Sequence, residues 1–294
     1  MSNTTTPQKN VLEKLHKKSI SAKDIATQFW CEKQMELSYL HGFKTNKAMD
    51  KGSAIHQQMQ VLVYKELTVE AATWPDKMYK TAYENILTMN TLVEKGIARE
   101  LKIYGAINGF LVVGQIDELR MKDGKVVIVE NKTTGSSAGK MSAEYTKPHF
   151  VQVLLYRRML DDLRKQLYTF QNLDFSYKLS QTVLSPAFVS GLRSIGVKDE
   201  LLSVKSIYTR MFENMAKLPE LSDSLLLHYV NSSTKETVAD ITVDYDKDEI
   251  NKDLIYAMKY WNGEREASPV PEAEKWKCRV CRFFGDKCMV WYQK

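Results

Sequence analysis

No apolar run in this 294-residue sequence approaches the roughly 18 to 20 residues that a membrane-crossing helix needs. The longest candidates, residues 110–116 and 126–129, have strand length, so no membrane partner is expected. Glycine (13) and proline (7) are too scarce for a collagen-like or low-complexity chain, and 27% charged against 44% apolar residues is too balanced for wholesale disorder. Residues 1–10 hold neither the apolar stretch of a secretory signal nor the arginines of a transit peptide, so a cytoplasmic, nucleoid-associated location is expected. In that reducing compartment the four cysteines are not expected to form two structural disulfides. What is left is a globular chain able to bury a large core, read as one elaborated domain over residues 1–294.

The formal charge of +6 is concentrated at the two ends. Residues 1–24 carry +3 and residues 275–294 carry +5, against −2 for everything between. The cysteines follow the same division, with Cys31 just past the first basic segment and Cys278, Cys281 and Cys288 inside the second. If something joins those cysteines, the two segments become one basic patch of the kind that binds nucleic acid; if nothing does, they are two solvated tails.

Periodicity changes along the chain. Ser21 and Asp24 supply caps for a helix over 25–39 that carries Cys31, a second helix is expected from Gly52 through His56 to Leu67, and a third follows Trp74-Pro75-Asp76. The pattern then turns strand-like at 101–104, 110–121 and 126–132, with a Gly- and Ser-bearing loop over 133–148. A helix is expected at 150–167, a strand at 173–184, a helix at 199–216, a hairpin over 225–243 and a helix at 247–261. The fold class expected is α/β.

The hairpin between the second and third strands carries the chemistry. Asp123-Gly124 between apolar runs marks a two-residue loop that pairs Lys122 with Lys125 and fixes the register. Counting outward sets Asp117 opposite Glu130 and Gln115 opposite Lys132, with Asp117, Glu130 and Lys132 on one face. Facing carboxylates on an apolar strand pair are costly unless a cation lies between them, and a hard divalent ion takes oxygen ligands. A lysine beside such an ion suits phosphodiester hydrolysis, where it orients water and offsets developing charge. A surface hairpin whose lysine bridges two acids satisfies the same pattern. His56 lies one turn inside its helix, and Gln152 and Tyr156 are one helical turn apart on a shared face.

The ordered set Gly52-x-x-x-His56, Gly114-x-x-Asp117, Glu130-x-Lys132, Gln152-x-x-x-Tyr156 resembles the RecB-like branch of the PD-(D/E)XK nucleases. With Cys31 upstream and Cys278, Cys281 and Cys288 at the end, it is similar to the iron-sulfur subgroup of exonuclease V and the CRISPR adaptation nucleases, over residues 21–288. The string Trp30-Cys31-Glu32-Lys33-Gln34 leans toward the exonuclease V side. The resemblance implies a restriction-endonuclease-like core with a central mixed sheet flanked by helices, and an iron-sulfur subdomain formed by residues 20–45 and 264–294. It also implies that Asp117, Glu130 and the backbone carbonyl of Asn131 hold Mg²⁺ or Mn²⁺ with His56 as a further ligand, that Lys132 is the catalytic lysine, and that Gln152 and Tyr156 contact DNA or steady Lys132. Cys31, Cys278, Cys281 and Cys288 would hold a 4Fe-4S cluster; their number and spacing alone suit zinc as well. Six residues separate Cys281 from Cys288 where the family usually has five, a difference a loop absorbs.

The activity so implied is metal-dependent exonuclease action on single-stranded DNA, 5′ to 3′ in most relatives, in repair or recombination. Trimming of CRISPR prespacers with adaptation proteins is the nearest rival, and a non-catalytic iron-sulfur DNA-binding protein the next. Trp276, Phe283, Phe284, Trp291 and Tyr292, interleaved with Lys275, Lys277, Arg279, Arg282 and Lys287, suit a grip on unpaired bases and phosphates. Oligomeric state is left open.

Overall fold

The computed structural model describes residues 11–42, 66–135 and 142–292. His56 and the helix expected around it lie outside the described residues. Elements are numbered here over the described chain.

A turn of helix at Val11–Lys14 (α1) and a two-residue strand, Ile20–Ser21 (β1), lead into α2, Ala22–Leu40. Ser21 and Asp24 form a reciprocal capping box at its start. Thr73 and Asp76 do the same for α3, Trp74–Lys95, which ends on Gly96 in the left-handed conformation. Three strands follow: β2 (Ile97–Ile107), β3 (Phe110–Lys122) and β4 (Lys125–Thr134). Asp123 and Gly124 both have positive φ, the signature of the type I′ hairpin that the Asp-Gly pair calls for. The observed pairs, from Lys122 with Lys125 to Glu118 with Val129, have the register deduced from the sequence.

Helix α4 (Ala143–Arg164) lies across β2, β4 and β5 and packs on α2. A helical group comes next, α5 (Phe170–Tyr177), α6 (Pro186–Ser194) and α7 (Val204–Ala216), with α7 seated against α3 and α4. The chain then returns to the sheet as β5 (Ser224–Asn231) and β6 (Thr237–Asp244) and closes with α8 (Lys247–Trp261) and a cysteine-bearing tail. The sheet is mixed: β2, β3 and β4 are antiparallel neighbours, β4 and β5 run parallel, and β6 pairs antiparallel with β5. It is an α/β fold with a mixed central sheet flanked by helices.

Two local expectations are corrected. Residues 173–184 form α5 and a 3-10 turn at Leu179–Gln181 instead of a strand. Phe170, Leu173 and Tyr177 recur at helical spacing, and α5 packs them toward α7. The loop expected over 133–148 is shorter, because β4 runs to Thr134 and Ser142 caps α4 well before Pro148, which sits inside the helix. Pro148 is the sixth residue of the helix, so its missing N–H forfeits the one bond to the Glu144 carbonyl.

Candidate active site

One edge of β3 positions the site. Along its other edge β3 pairs with β2 over residues 110–120 except at Asp117, but on this edge it is shared, with β1 pairing at Val112 and Val113 and β4 only from Glu118 onward. Among the described residues, 114–117 are thus left without a strand partner on that side. The hairpin has opened there, because β4 leaves β3 after Val129 to run beside β5. Asp117 closes the opening with its side chain, Oδ2 accepting a hydrogen bond of 2.9 Å from the backbone N–H of Asn131.

The opposition of Gln115 and Lys132 is therefore corrected. Gln115 pairs with Lys102 on β2, and Lys132 pairs with Tyr229 on β5. Asp117 and Glu130 still come together just past the last rung of the ladder. Burial, and then the charge of Glu130, push the Asp117 carboxyl well above the usual carboxylate range, against the opposing pull of Lys132 and the Asn131 N–H. Across β2, Glu100 stands level with Asp117 in the left-handed conformation, φ +63, and adds a further negative charge.

Glu130 is 2% exposed. Its Oε1 accepts from Lys132 Nζ at 2.7 Å and from Gln152 Nε2 at 2.7 Å, while Oε2 is buried without a hydrogen-bond partner among the described residues. Gln152 also accepts from Lys132 Nζ at 2.8 Å and donates to the Tyr156 hydroxyl at 2.9 Å. The amide of Gln152 thus ties the buried carboxylate, the part-buried ammonium and the buried phenol into one unit. Burial, then the charge of Glu130, raise the Tyr156 phenol well above its ordinary value, so it stays protonated. The Gly114 position is required by this ring: a Cβ there would lie 2.7 Å from Tyr156 Cε1.

The sequence reading missed three residues beside Lys132 and Gln152 in the candidate site. Tyr145 and His149 lie on the α4 stripe that continues through Gln152 and Tyr156, a helical spacing visible in the sequence. Tyr229 had no local signal, because its place beside Lys132 depends on the parallel pairing of β4 with β5.

The four cysteines line a single cavity together with Gln34, Lys277 and Trp291, and none is in a disulfide. Helix α2 breaks at Cys31, whose backbone is extended. The Lys33 N–H, freed by the break, bonds to the Ser268 carbonyl of the tail at 3.0 Å, and the Ser268 N–H donates to the Glu32 side-chain carboxylate at 2.7 Å. Arg265 forks onto the buried Glu32 carboxylate. Burial first, with Cys281 and Cys288 adding to it, pushes the Cys31 thiol up to about 11. Among the described residues, no group of three or more His, Cys, Asp or Glu is placed to hold a single metal ion.

The family model for exonuclease V, described as a 5′ deoxyribonuclease, matches residues 10–124, 120–210 and 198–292. The chain belongs to the exonuclease V family. Exonuclease V of Danio rerio is 26% identical over 287 residues, which cover 92% of this chain and 70% of that protein. The mitochondrial exonuclease V of Candida dubliniensis is 36% identical over 70 residues, 24% of this chain and 11% of that protein. Among solved structures, SSO0001 superposes with a TM-score of 0.43 at 12% identity, over 93% of this chain and 91% of that one. A candidate exonuclease from Eubacterium rectale superposes with a TM-score of 0.37 at 11% identity, over 99% of this chain and 97% of that one. The exonuclease V side of the sequence resemblance is thus the one the family match supports, and the class is that of the PD-(D/E)XK nucleases. Among the described residues, no helix is long and apolar enough to cross a membrane.

Proposed function

We propose that this exonuclease V family member degrades single-stranded DNA from its 5′ end, hydrolysing phosphodiester bonds with a divalent metal at Asp117 and Glu130. The observation that carries the reading is the hydrogen-bonded unit of Glu130, Lys132 and Gln152, with Asp117 beside it and one buried oxygen of Glu130 left without a hydrogen-bond partner among the described residues. A buried carboxylate oxygen that no donor satisfies is expensive, and two carboxylates brought together fit a hard cation. Asp117, Glu130 and the Asn131 carbonyl would hold Mg²⁺ or Mn²⁺, with His56 completing the set. When bound, the ion supplies positive charge for the facing carboxylates and polarises the phosphodiester.

The protein's own groups do the rest. Lys132 holds the attacking water and offsets the charge that develops on the phosphoryl oxygens. Gln152 fixes the Lys132 ammonium in place, and Tyr156 fixes Gln152 in turn. Because Gln152 and Tyr156 are buried and Gln152 bonds both its neighbours, little reorganisation is needed when substrate arrives.

The same proposal extends to the cysteines, with residues 20–45 and 264–294 as a lobe that holds a 4Fe-4S cluster. Four cysteines from distant parts of the chain that line one cavity, with none in a disulfide, support a shared occupant, and the family resemblance favours the four-iron cluster over zinc. The cluster would act as a staple between Cys31 and the tail, and the exposed Trp276, Val280, Trp291 and Tyr292 with Arg279 and Lys287 would contact the strand.

The test uses anaerobically purified protein with 5′- and 3′-labelled single-stranded and duplex DNA in Mg²⁺ or Mn²⁺, with EDTA and Lys132→Ala as controls. Stepwise loss from the 5′ end of single strands, abolished in both controls, is the expected result; binding without cleavage in either metal would overturn the nuclease reading. Iron and acid-labile sulfide assays on the same preparation test the cluster, and stoichiometric zinc without sulfide would refute it.

A further inference from the structure

Beside Lys132 lies a pair of rings with no part in the chemistry described so far. Tyr229 is the register partner of Lys132 across the parallel β4–β5 ladder and is fully buried. Its hydroxyl is 2.7 Å from Nδ1 of His149, one turn before Gln152 on α4. The imidazole is packed between two tyrosines, with ring centroids 5.7 Å from Tyr229 and 5.7 Å from Tyr145.

This contact sets the tautomer. The Tyr229 hydroxyl has no other acceptor among the described residues, so a buried phenol proton would be stranded unless it is given to Nδ1. Nδ1 is then the acceptor, and the ring proton sits on Nε2. Burial, then the Lys132 charge, push His149 down to about 3, so the ring is neutral in the physiological range. The result is an uncharged Nε2–H donor on a partly exposed ring, with no acceptor for it among the described residues, within the electrostatic reach of Lys132.

A neutral donor held in one tautomer suits a phosphate oxygen. It grips the anion without placing a second cation beside Lys132, and its orientation is fixed before substrate binds. We propose that His149, locked as the Nε2–H tautomer by Tyr229, donates a hydrogen bond to a non-bridging phosphate oxygen of the DNA strand next to the scissile phosphate, and so registers the strand at Lys132. This inference rests on the nuclease reading. His149 contacts substrate in it, and Tyr229 is the positioning residue that acts through His149.

The test compares wild type, His149→Phe and the packing-matched double variant His149→Phe/Tyr229→Phe. Their binding in EDTA to an oligothymidylate is measured by fluorescence anisotropy, with a neutral methylphosphonate walked through one position at a time. Wild type should lose about tenfold in affinity at one particular position, the size of one charge-assisted hydrogen bond, and the variants should bind the unmodified strand about tenfold more weakly with no further loss there. Steady-state assays should show KM raised by a similar factor and kcat changed less than twofold. Tyr229→Phe, which keeps the imidazole and frees its tautomer, should lose two- to threefold at the same position, and it carries the test if the two variants lacking the imidazole fail to fold. Folded variants that bind like wild type, or that lose the same factor at every position, overturn the proposal. Wild-type protein that binds the strand but never cuts it would overturn the nuclease reading instead, and the binding walk would still decide whether His149 touches phosphate.

Discussion

Gly114 on β3 and Tyr156 on α4 are in direct contact, with a Cβ at 114 placed 2.7 Å from the Tyr156 ring. The glycine of the Gly114-x-x-Asp117 pattern therefore acts through packing. It lets the phenol come close enough to the sheet to hold Gln152, and through Gln152 it holds Lys132. Gly114→Ala is expected to cost about 1–3 kcal/mol of stability, as overpacking does. Its kcat should fall further than that stability loss explains, because the displaced ring releases Gln152. Thermal melts together with kcat on single-stranded DNA check this, and normal activity with an intact Tm would contradict it.

Gln152→Ala removes the amide that bridges Glu130 and Lys132. It should lower kcat by about 10- to 100-fold, the range for losing a partner that orients a metal-ligating group. Binding of DNA in EDTA should be nearly unchanged. Gln152→Glu should be worse, because it places a further carboxylate against Glu130. A titration of metal dependence would show it as a changed apparent affinity for Mg²⁺.

Glu32 and Arg265 join the two halves of the cysteine lobe at a point where both are largely withdrawn from water, the Glu32 side chain being 1% exposed. Glu32→Ala takes the carboxylate from Arg265, which keeps only neutral acceptors such as the Tyr256 carbonyl, leaves the N–H of Ser268 without its acceptor, and should cost about 3–5 kcal/mol. The double change Glu32→Met/Arg265→Met should cost less than the single one. Urea unfolding of wild type, Glu32→Met, Arg265→Met and the double variant decides it, and an additive result would count against a coupled pair.

Stability should fall on the acid side of neutrality through His149. Its pKa in the folded state lies at about 3, below the ordinary histidine value in the unfolded chain. The unfolded state therefore takes up the proton first as pH falls, and stability declines from about pH 6.5 downward toward the folded pKa. The slope for one proton is at most about 1.4 kcal/mol per pH unit. Replacing the imidazole in His149→Phe/Tyr229→Phe should flatten the dependence of unfolding free energy on pH in that window, measured by urea denaturation across the range.

Cys278→Ser should abolish iron and sulfide incorporation and lower the Tm, because a cluster joined to Cys31 closes most of the chain into one loop. The nuclease site should keep its fold, since Asp117, Glu130, Lys132, Gln152 and Tyr156 are carried by β3, β4 and α4. Metal-dependent cleavage of a short oligonucleotide should thus survive better than binding to a long strand. Equal loss of both would argue that the lobe also shapes the catalytic face.

Sequence alone determined whatever depends on neighbours a few residues apart. The Asp123-Gly124 turn needs two positive φ angles, and this sets the β3–β4 register; the boxes at Ser21/Asp24 and Thr73/Asp76 start their helices, and the spacing of Gln152 and Tyr156 sets them on one face. Tertiary structure decided where that register stops. Whether β4 stays beside β3 or turns to β5 depends on which strand edge it can pair with, and β5 lies far along the chain, beyond α4 and the helical group that follows it. That choice opens the hairpin at Asp117, separates Gln115 from Lys132, and places Tyr229 and His149 beside Lys132. A backbone hydrogen bond formed over a long loop leaves no local trace in either partner, so only the folded chain reveals it.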